Sequence, residues 1–183
     1  SDSYVFKIGT ANGSLCLAPL HVAQDLGDFE EEFNAARIKY ELVEIDMQQA
    51  ADLVASEQID ACVGLAGSLI PQVDSGLDIS FTAGIHTGCT KYYVGKNSDI
   101  KDLSGLKGKK IGVPGMSDSS VVALKRKLAD VGVGVSTKNM EIELVVYNMT
   151  DLPLALDNSA VDAIALHDPV AASAEKEYGF IKI

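Results

Sequence analysis

The stretch that decides the fold is "IGVPGMSDSSVVALKRKL", residues 111–128. A short apolar run ends at Pro114 and Gly115, four small polar residues stand between Met116 and Val121, and a helical pattern follows. A short apolar run before a turn is typical of a buried strand, and a small polar residue before a helical pattern is typical of a helix cap. The stretch therefore predicts a strand, a loop and a helix, with Ser117 as the N-cap.

The same succession recurs along the chain and predicts an α/β fold with mostly parallel sheets, because strands separated by helices form right-handed βαβ units. The units fall into two similar runs, so we predict lobe 1 over 1–88 and lobe 2 over 89–183, with a hinge near 86–95. The predicted strands are 4–10, 37–45, 60–66, 78–85, 90–95, 110–114, 141–148, 161–167 and the end of the chain, and the predicted helices are 17–33 with a stop at Gly27, 47–58, 68–76, 117–131, 151–158 and 168–178.

Composition narrows the class of partner. The 183 residues carry a net charge of -11. This charge disfavours nucleic acid as a partner, because the affinity of a protein for nucleic acid comes mainly from Lys and Arg side chains that neutralise phosphates. Three cysteines are too few for a disulfide scaffold, and no apolar run reaches the roughly 18 residues of a membrane span. The chain shows no signal peptide and starts without Met, so we expect membrane association only through an N-terminal anchor that is lost from or absent in this sequence.

Five loops that follow predicted strands carry small polar residues, most of them with glycine. In open α/β sheets ligands bind beyond the carboxyl ends of the strands, where backbone N–H groups at helix starts point outward. We therefore expect a small solute in a cleft between the two lobes. The expected caps in these loops are Ser14, Ser68, Ser117 and Asp168, the last with Pro169 as the first helical residue.

Histidines and cysteines near the same loops leave other chemistry open. His86 and His167 stand at strand ends, where either is a candidate for contact with a ligand. A soft metal site from Cys16, His86 and Cys89, a disulfide between Cys16 and Cys89, and a Cys89–His167 dyad are the alternatives. The sequence has no G-x-S-x-G or H-E-x-x-H motif, so we predict no catalytic residues, no resident metal and no cofactor.

Four stretches together resemble the type II periplasmic solute-binding proteins of ABC transporters. Within that group the chain most resembles the NMT1/THI5-like branch, which includes binders of sulfonates, taurine, nitrate and thiamine precursors. The stretches are "KIGTANGSLCLAPLHVAQDLGDFEEEF" (7–33), "IDACVGLAGSLIPQVDSGLDI" (59–79), "DLSGLKGKKIGVPGMSDSSVVALKRKL" (102–128) and "VDAIALHDPVAA" (161–172).

The resemblance implies a two-lobed periplasmic-binding-protein-like fold, a periplasmic or cell-surface location, and an ABC transporter permease as partner. It also implies that the chain is truncated at the C-terminus, where the family normally returns to the first lobe. A THI5-like or other cytosolic enzyme and a sensory ligand-binding module are the alternative functions. The ligand-binding residues that the resemblance implies are Ser14, Leu15, Gly67, Ser68, His86, Thr87, Met116, Ser117, Asp118, Ser119, His167 and Asp168.

The sequence leaves the charge of the solute open. Backbone N–H groups and hydroxyls near Ser14, Ser68 and Ser117 suit a sulfonate, a carboxylate or another small oxyanion. Asp118 and Asp168 would instead repel an anion and suit an amine or a neutral heterocycle with N–H donors.

Overall fold

The computed structural model describes residues 4–12, 15–47 and 49–183. The chain divides into two compact units, Ser1–Thr87 and Gly88–Ile183. Ser14, a predicted cap and ligand residue, lies outside the described residues.

The first unit is built on a parallel sheet, as the alternation of strands and helices predicts. Its strand order is β2-β1-β3, and both strand pairs are parallel. Its described elements are β1 Val5–Thr10, a 3-10 turn Leu15–Leu17, α1 Ala18–Leu26, α2 Asp28–Ala36, β2 Lys39–Glu44, α3 Ala50–Ala55, β3 Ala61–Cys62 and α4 Ala66–Asp74.

The long helix predicted over 17–33 is two helices that meet at Gly27. This glycine has φ of +82°, a left-handed conformation that ends α1, and its N–H donates to the Ala23 and Gln24 carbonyls. Only glycine adopts that conformation without a steric penalty, so α2 starts in a new direction directly after it. The stop at Gly27 was therefore predicted, and the continuation to 33 as one helix was wrong.

Two strands predicted in this unit differ from the structure. The strand expected over 60–66 is paired only at Ala61 and Cys62. The strand expected over 78–85 is not formed, since residues 77–89 have no regular secondary structure. The apolar side chains of Phe81 and Ile85 are exposed there and do not pack on the face of a sheet. Local periodicity therefore overstated the strand content here.

The second unit is built on a five-stranded mixed sheet of order β10-β4-β9-β5-β8, in which β5 is parallel to both of its neighbours, β8 and β9. Its described elements are β4 Thr90–Val94, a 3-10 turn Leu103–Leu106, β5 Lys110–Val113, α5 Ser119–Asp130, β6 Val135–Ser136, β7 Asn139–Met140, β8 Glu143–Val146, α6 Leu152–Asp157, β9 Ala163–His167, α7 Val170–Tyr178 and β10 Ile181–Lys182.

Strand β4 runs antiparallel to β9 and to β10, which the sequence did not predict. In this register Thr90, the first residue of β4, stands opposite His167, the last residue of β9. The start of β4 and the carboxyl end of β9 therefore lie at the same edge of the sheet. The hairpin of β6 and β7 was also not predicted.

Apolar side chains cover both faces of this sheet. Successive residues of a strand point to opposite faces, and accordingly Tyr92 belongs to one buried cluster and Tyr93 to another. Leu124 of α5 packs in the first cluster, and Leu152 of α6 packs in the second. The sheet is thus the middle layer of three, as in other α/β domains.

We expect Leu124→Ala to lower the free energy of unfolding by about 2–5 kcal/mol, because the side chain is fully buried and its removal leaves a cavity. Urea unfolding followed by circular dichroism measures this. Val122→Ala is the matched control on the same helix, where the side chain is 41% exposed and the expected change is below about 0.5 kcal/mol. Equal losses in the two variants would contradict the described packing of α5.

Candidate functional site

Polar side chains of three strand ends meet at one edge of the second sheet. Strands β5 and β9 are parallel, so their carboxyl ends, at Val113 and His167, lie at this edge. The antiparallel β4 brings Thr90 to the same place. This is the edge where open α/β sheets place their ligands.

Asp118 lies at the centre of this edge as the N-cap of α5. Its Oδ1 accepts from the Ser120 backbone N–H at 2.8 Å and also from the Ser120 hydroxyl. The same oxygen lies 2.9 Å from Nε2 of His167. A carboxylate at a helix N-terminus interacts favourably with the helix dipole and satisfies a donor that has no partner within the helix.

Asp118 is held in its ionised form. Burial, the largest influence, favours the neutral acid, but hydrogen bonds from His167 and Ser120 together outweigh it and keep the pKa of Asp118 below its ordinary value. The side chain is 16% exposed, so the carboxylate stands at the boundary of solvent and protein.

His167 links this carboxylate to the start of β4. An ionised carboxylate only accepts hydrogen bonds, so Nε2 of His167 carries the proton that it donates to Asp118. The other ring nitrogen, Nδ1, lies 3.1 Å from Oγ1 of Thr90 and 3.5 Å from Sγ of Cys89. In the neutral imidazole this nitrogen is an acceptor for the Thr90 hydroxyl and the Cys89 thiol.

A second acid at this edge, Asp168, is paired with Lys91. The lysine Nζ donates to both carboxylate oxygens, at 2.9 Å and 2.8 Å. Both side chains are about a quarter exposed. The pair therefore adds no net charge to the edge.

Tyr92 of β4 holds the start of α5 through a buried hydrogen bond. Its hydroxyl donates to the Ser120 carbonyl at 2.8 Å, and Ser120 is fully buried. Burial, and after it the charge of Asp118, raise the pKa of Tyr92, so this hydroxyl stays a donor at neutral pH. The first turn of α5 is thus fixed by a cap on one side and by a buried hydrogen bond on the other.

Three predicted caps are wrong. Ser117 precedes the N-cap, which is Asp118, because the Asp118 carboxylate and not the serine hydroxyl accepts from the first turn. Asp168 does not cap α7, since its carboxylate is bonded to Lys91 and Pro169 occupies the cap position. Ser68 lies inside α4, whose N-cap is Leu65.

The structure brings part of the predicted set together. Asp118 and His167 are bonded to each other, Ser119 is the first residue of α5, and Asp168 follows β9. Met116 and Ser117 are exposed in the loop before α5. Sequence reasoning missed four residues of this edge: Thr90, Lys91, Tyr92 and Ser120. The first three sit at the start of a strand whose antiparallel direction no local pattern reveals.

The remaining predicted ligand residues belong to the first unit. Leu15 is 55% exposed in the 3-10 turn after β1. Gly67 and Ser68 lie in the first turn of α4, and His86 and Thr87 are exposed in the segment without regular structure. The joint use of residues from both units by one ligand stays a prediction.

The loop after β1 is held by two local hydrogen bonds. Nε2 of His21 lies 3.2 Å from the Ala11 carbonyl, and the Asn12 amide donates to Glu44 at 3.4 Å. His21 therefore has a structural role in this loop.

In the ranges that the structure describes, no three His, Cys, Asp or Glu side chains are grouped to hold a metal ion, so the alternative site at Cys16, His86 and Cys89 gains no support. No helix in those ranges combines the length and the apolar character needed to cross a membrane.

The sequence of this chain matches the model of the family described as "NMT1/THI5 like" over residues 16–180. The chain belongs to the NMT1/THI5-like family. It is 32% identical over 151 residues to a protein of Haemophilus influenzae named "Putative thiamine biosynthesis protein". That alignment covers 80% of this chain and 44% of the relative, so the chain spans less than half the length of this family member.

Solved structures confirm the periplasmic-binding-protein-like α/β fold. The chain is similar to the periplasmic aliphatic sulphonate binding protein SsuA of Escherichia coli, with a TM-score of 0.78 and 23% identity over 97% of this chain and 56% of that chain. It is also similar to a putative periplasmic sulfonate-binding protein SsuA of Methylobacillus flagellatus, with a TM-score of 0.72 and 25% identity over 98% of this chain and 55% of that chain. The suspected membership in this branch is therefore confirmed.

We expect Asp118→Ala to lower the free energy of unfolding by about 1–2 kcal/mol at pH 7, because the variant loses the cap and the partner of His167. The pKa of Asp118 is lower in the folded than in the unfolded chain. Its stabilisation is therefore complete above the unfolded value of about 3.9 and is lost as the pH falls through the folded value. The difference between wild type and variant should shrink below about pH 4, and urea unfolding at several pH values measures it.

Asp130→Ala is the control for this experiment. Asp130 lies near the other end of α5, is largely exposed, and pairs with Arg126 one turn away. Its removal should change the free energy of unfolding by less than about 0.5 kcal/mol. A difference for Asp118→Ala that stays constant from pH 7 to pH 3 would contradict the ionised cap.

Proposed function

We propose that this chain is the solute-binding part of an extracytoplasmic ABC-transporter protein, and that its solute is a small neutral or weakly basic nitrogen heterocycle. Membership in the NMT1/THI5-like family and the fold shared with periplasmic binding proteins support the binding role. The location outside the cytoplasm and the permease as partner are parts of the same proposal. In this function the protein binds and releases its solute without converting it.

The free oxygen of Asp118 is the observation that carries the choice of solute. All the hydrogen bonds described for this carboxylate go to Oδ1, from Ser120 and His167. Among the residues that the structure describes, none donates to Oδ2. An ionised oxygen at the carboxyl edge of the sheet is an acceptor for an N–H group of a ligand, and a charge-assisted hydrogen bond of this kind is stronger than a neutral one.

An anionic solute is less well matched to this edge. The N-terminus of α5 would attract an anion through its dipole, but the Asp118 carboxylate already occupies that position. Lys91 of β4, a cation at this edge, donates to both oxygens of Asp168. A sulfonate would therefore approach an ionised acid, and the positive charge of Lys91 is already compensated by Asp168.

The name of one relative is consistent with a heterocyclic solute. The Haemophilus influenzae relative carries a name that refers to thiamine biosynthesis, and thiamine contains an aminopyrimidine ring with N–H donors. The two SsuA proteins share the fold at 23% and 25% identity, and their names describe them as sulfonate-binding proteins. A shared fold does not transfer that specificity to this chain. Because ligand specificity lies in the site and not in the fold, we base the choice between these solute classes on the Asp118 carboxylate.

Isothermal titration of the 183-residue chain with the aminopyrimidine precursor of thiamine, thiamine, taurine and ethanesulfonate tests the proposal. We expect binding of a heterocycle, and we expect Asp118→Asn to weaken it by about 10- to 100-fold, because the ligand loses a charge-assisted hydrogen bond. The asparagine still caps α5, so the fold is retained.

Asp130→Asn is the matched control and should leave the dissociation constant unchanged, since this acid lies at the far end of α5 and is exposed. Binding of taurine or ethanesulfonate without binding of any heterocycle would overturn the choice of solute. Mass spectrometry of the bound compound covers the enzyme alternative, because a chemically altered ligand would contradict a pure binding role.

A further inference from the structure

Three side chains of the second unit are arranged as a nucleophile, a base and an orienting acid. Sγ of Cys89 lies 3.5 Å from Nδ1 of His167, and Nε2 of the same ring lies 2.9 Å from Oδ1 of Asp118. This succession is the signature of an activated thiol, in which the base is in hydrogen-bond reach of the nucleophile and a third group orients the base. Binding of a solute does not require it.

The ring orientation determines which nitrogen accepts the thiol proton. Asp118 accepts from Nε2, so the neutral imidazole presents Nδ1 without a proton toward Cys89. Proton transfer from the thiol to Nδ1 produces a thiolate beside an imidazolium, and Asp118 stabilises the positive ring from its other side. The other charged groups at this edge, Lys91 and Asp168, are bonded to each other.

Access to the thiol also favours reaction. Cys89 is partly exposed and lies in the stretch directly before β4. Cys62 differs, because burial raises the pKa of its thiol and its hydrogen-bond partner is the Ala50 carbonyl. A carbonyl accepts from a thiol but takes no proton from it, so Cys62 is a natural reference within the same chain.

We propose that Cys89, His167 and Asp118 form a reactive thiol centre that is modified by small-molecule disulfides. His167 takes the proton of the Cys89 thiol, and the thiolate attacks one sulfur of the disulfide R–S–S–R. A new bond forms between Cys89 and that sulfur as the original S–S bond breaks, and the electron pair leaves with the second R–S⁻. The proton on His167 passes to this leaving thiolate, so the products are the mixed disulfide at Cys89 and one R–SH.

Thr90 has a secondary part in this centre. Its hydroxyl lies 3.1 Å from Nδ1 of His167 and shares that acceptor with the thiol. Thr90→Val removes the competing donor and keeps the branched shape of the side chain in β4. The Cys89 thiol of the variant should therefore react at least as fast as that of the wild type. If the substitution instead displaced His167, the reaction would slow.

The test measures the rate of thiopyridone release from 4,4′-dithiodipyridine at pH 5 to 9. It uses the Cys16→Ala/Cys62→Ala variant, which keeps only Cys89, and the Cys16→Ala/Cys89→Ala variant, which keeps only Cys62. At pH 6 we expect Cys89 to react about tenfold faster in the folded chain than in the same chain unfolded in urea, because activation raises the thiolate fraction. Folding alone can only restrict access, so a faster folded reaction requires activation. Cys62 should react more slowly folded than unfolded.

Replacement of the base is the second arm. In the Cys89-only chain, His167→Gln should lower the rate at pH 6 about tenfold and restore the pH dependence of an ordinary thiol. Circular dichroism checks that this variant folds. If it does not, the comparison of folded and unfolded Cys89 decides alone.

Intact mass spectrometry after incubation with oxidised glutathione identifies the product. The expected result is one glutathione on Cys89 that dithiothreitol removes. The proposal is overturned if folded Cys89 reacts no faster than unfolded Cys89 over this pH range, or if His167→Gln folds and keeps the wild-type rate.

Discussion

The hydrogen bond between His167 and Asp118 is the contact on which the polar edge of the second unit depends. It joins the end of β9 to the start of α5 through two side chains. Together with the hydrogen bonds from Ser120 it keeps the Asp118 carboxylate ionised, and it fixes the proton on one ring nitrogen of His167, so that the other nitrogen is an acceptor. Removal of Asp118 would change the helix cap, the local charge and the tautomer of His167 together.

In the proposed function, Asp118 is also the reason why an edge typical of anion binding would prefer a solute with N–H donors. A helix start after a parallel strand normally presents unpaired N–H groups to a ligand. Here the protein supplies the anion itself, through Asp118, and it satisfies the second acid through Lys91. Because ligand specificity lies in the site and not in the fold, the proposed choice of solute rests on this one side chain and not on the shared backbone geometry.

The sequence predicted the parallel framework well because that framework rests on local patterns. The strands at Lys110–Val113 and Ala163–His167 and the helix Ser119–Asp130 were each expected within about two residues of their bounds. The cap was misassigned because Ser117 and Asp118 are neighbours of equal capping preference, and only the backbone decides which one faces the helix start.

The pairs formed by β4 were out of reach for a different reason. Thr90 and His167, like Lys91 and Asp168, are separated by 77 residues, and their contact follows from the antiparallel direction of one strand. Nothing in the period-two pattern of a strand states its direction. The part of the candidate site that rests on βα loops was therefore predicted, whereas of the pairs that rest on sheet topology only Cys89 with His167 was among the alternatives that the sequence left open.

The direction of β4 has one more consequence. Gly88 is the first residue of the second unit, and Cys89 and Thr90 follow it directly. The peptide with which the second unit begins thus supplies two side chains of this edge, Cys89 and Thr90, and both are hydrogen-bonded to His167. A substitution at Cys89 or Thr90 would therefore alter both the entry into the second sheet and the groups that face Nδ1 of His167.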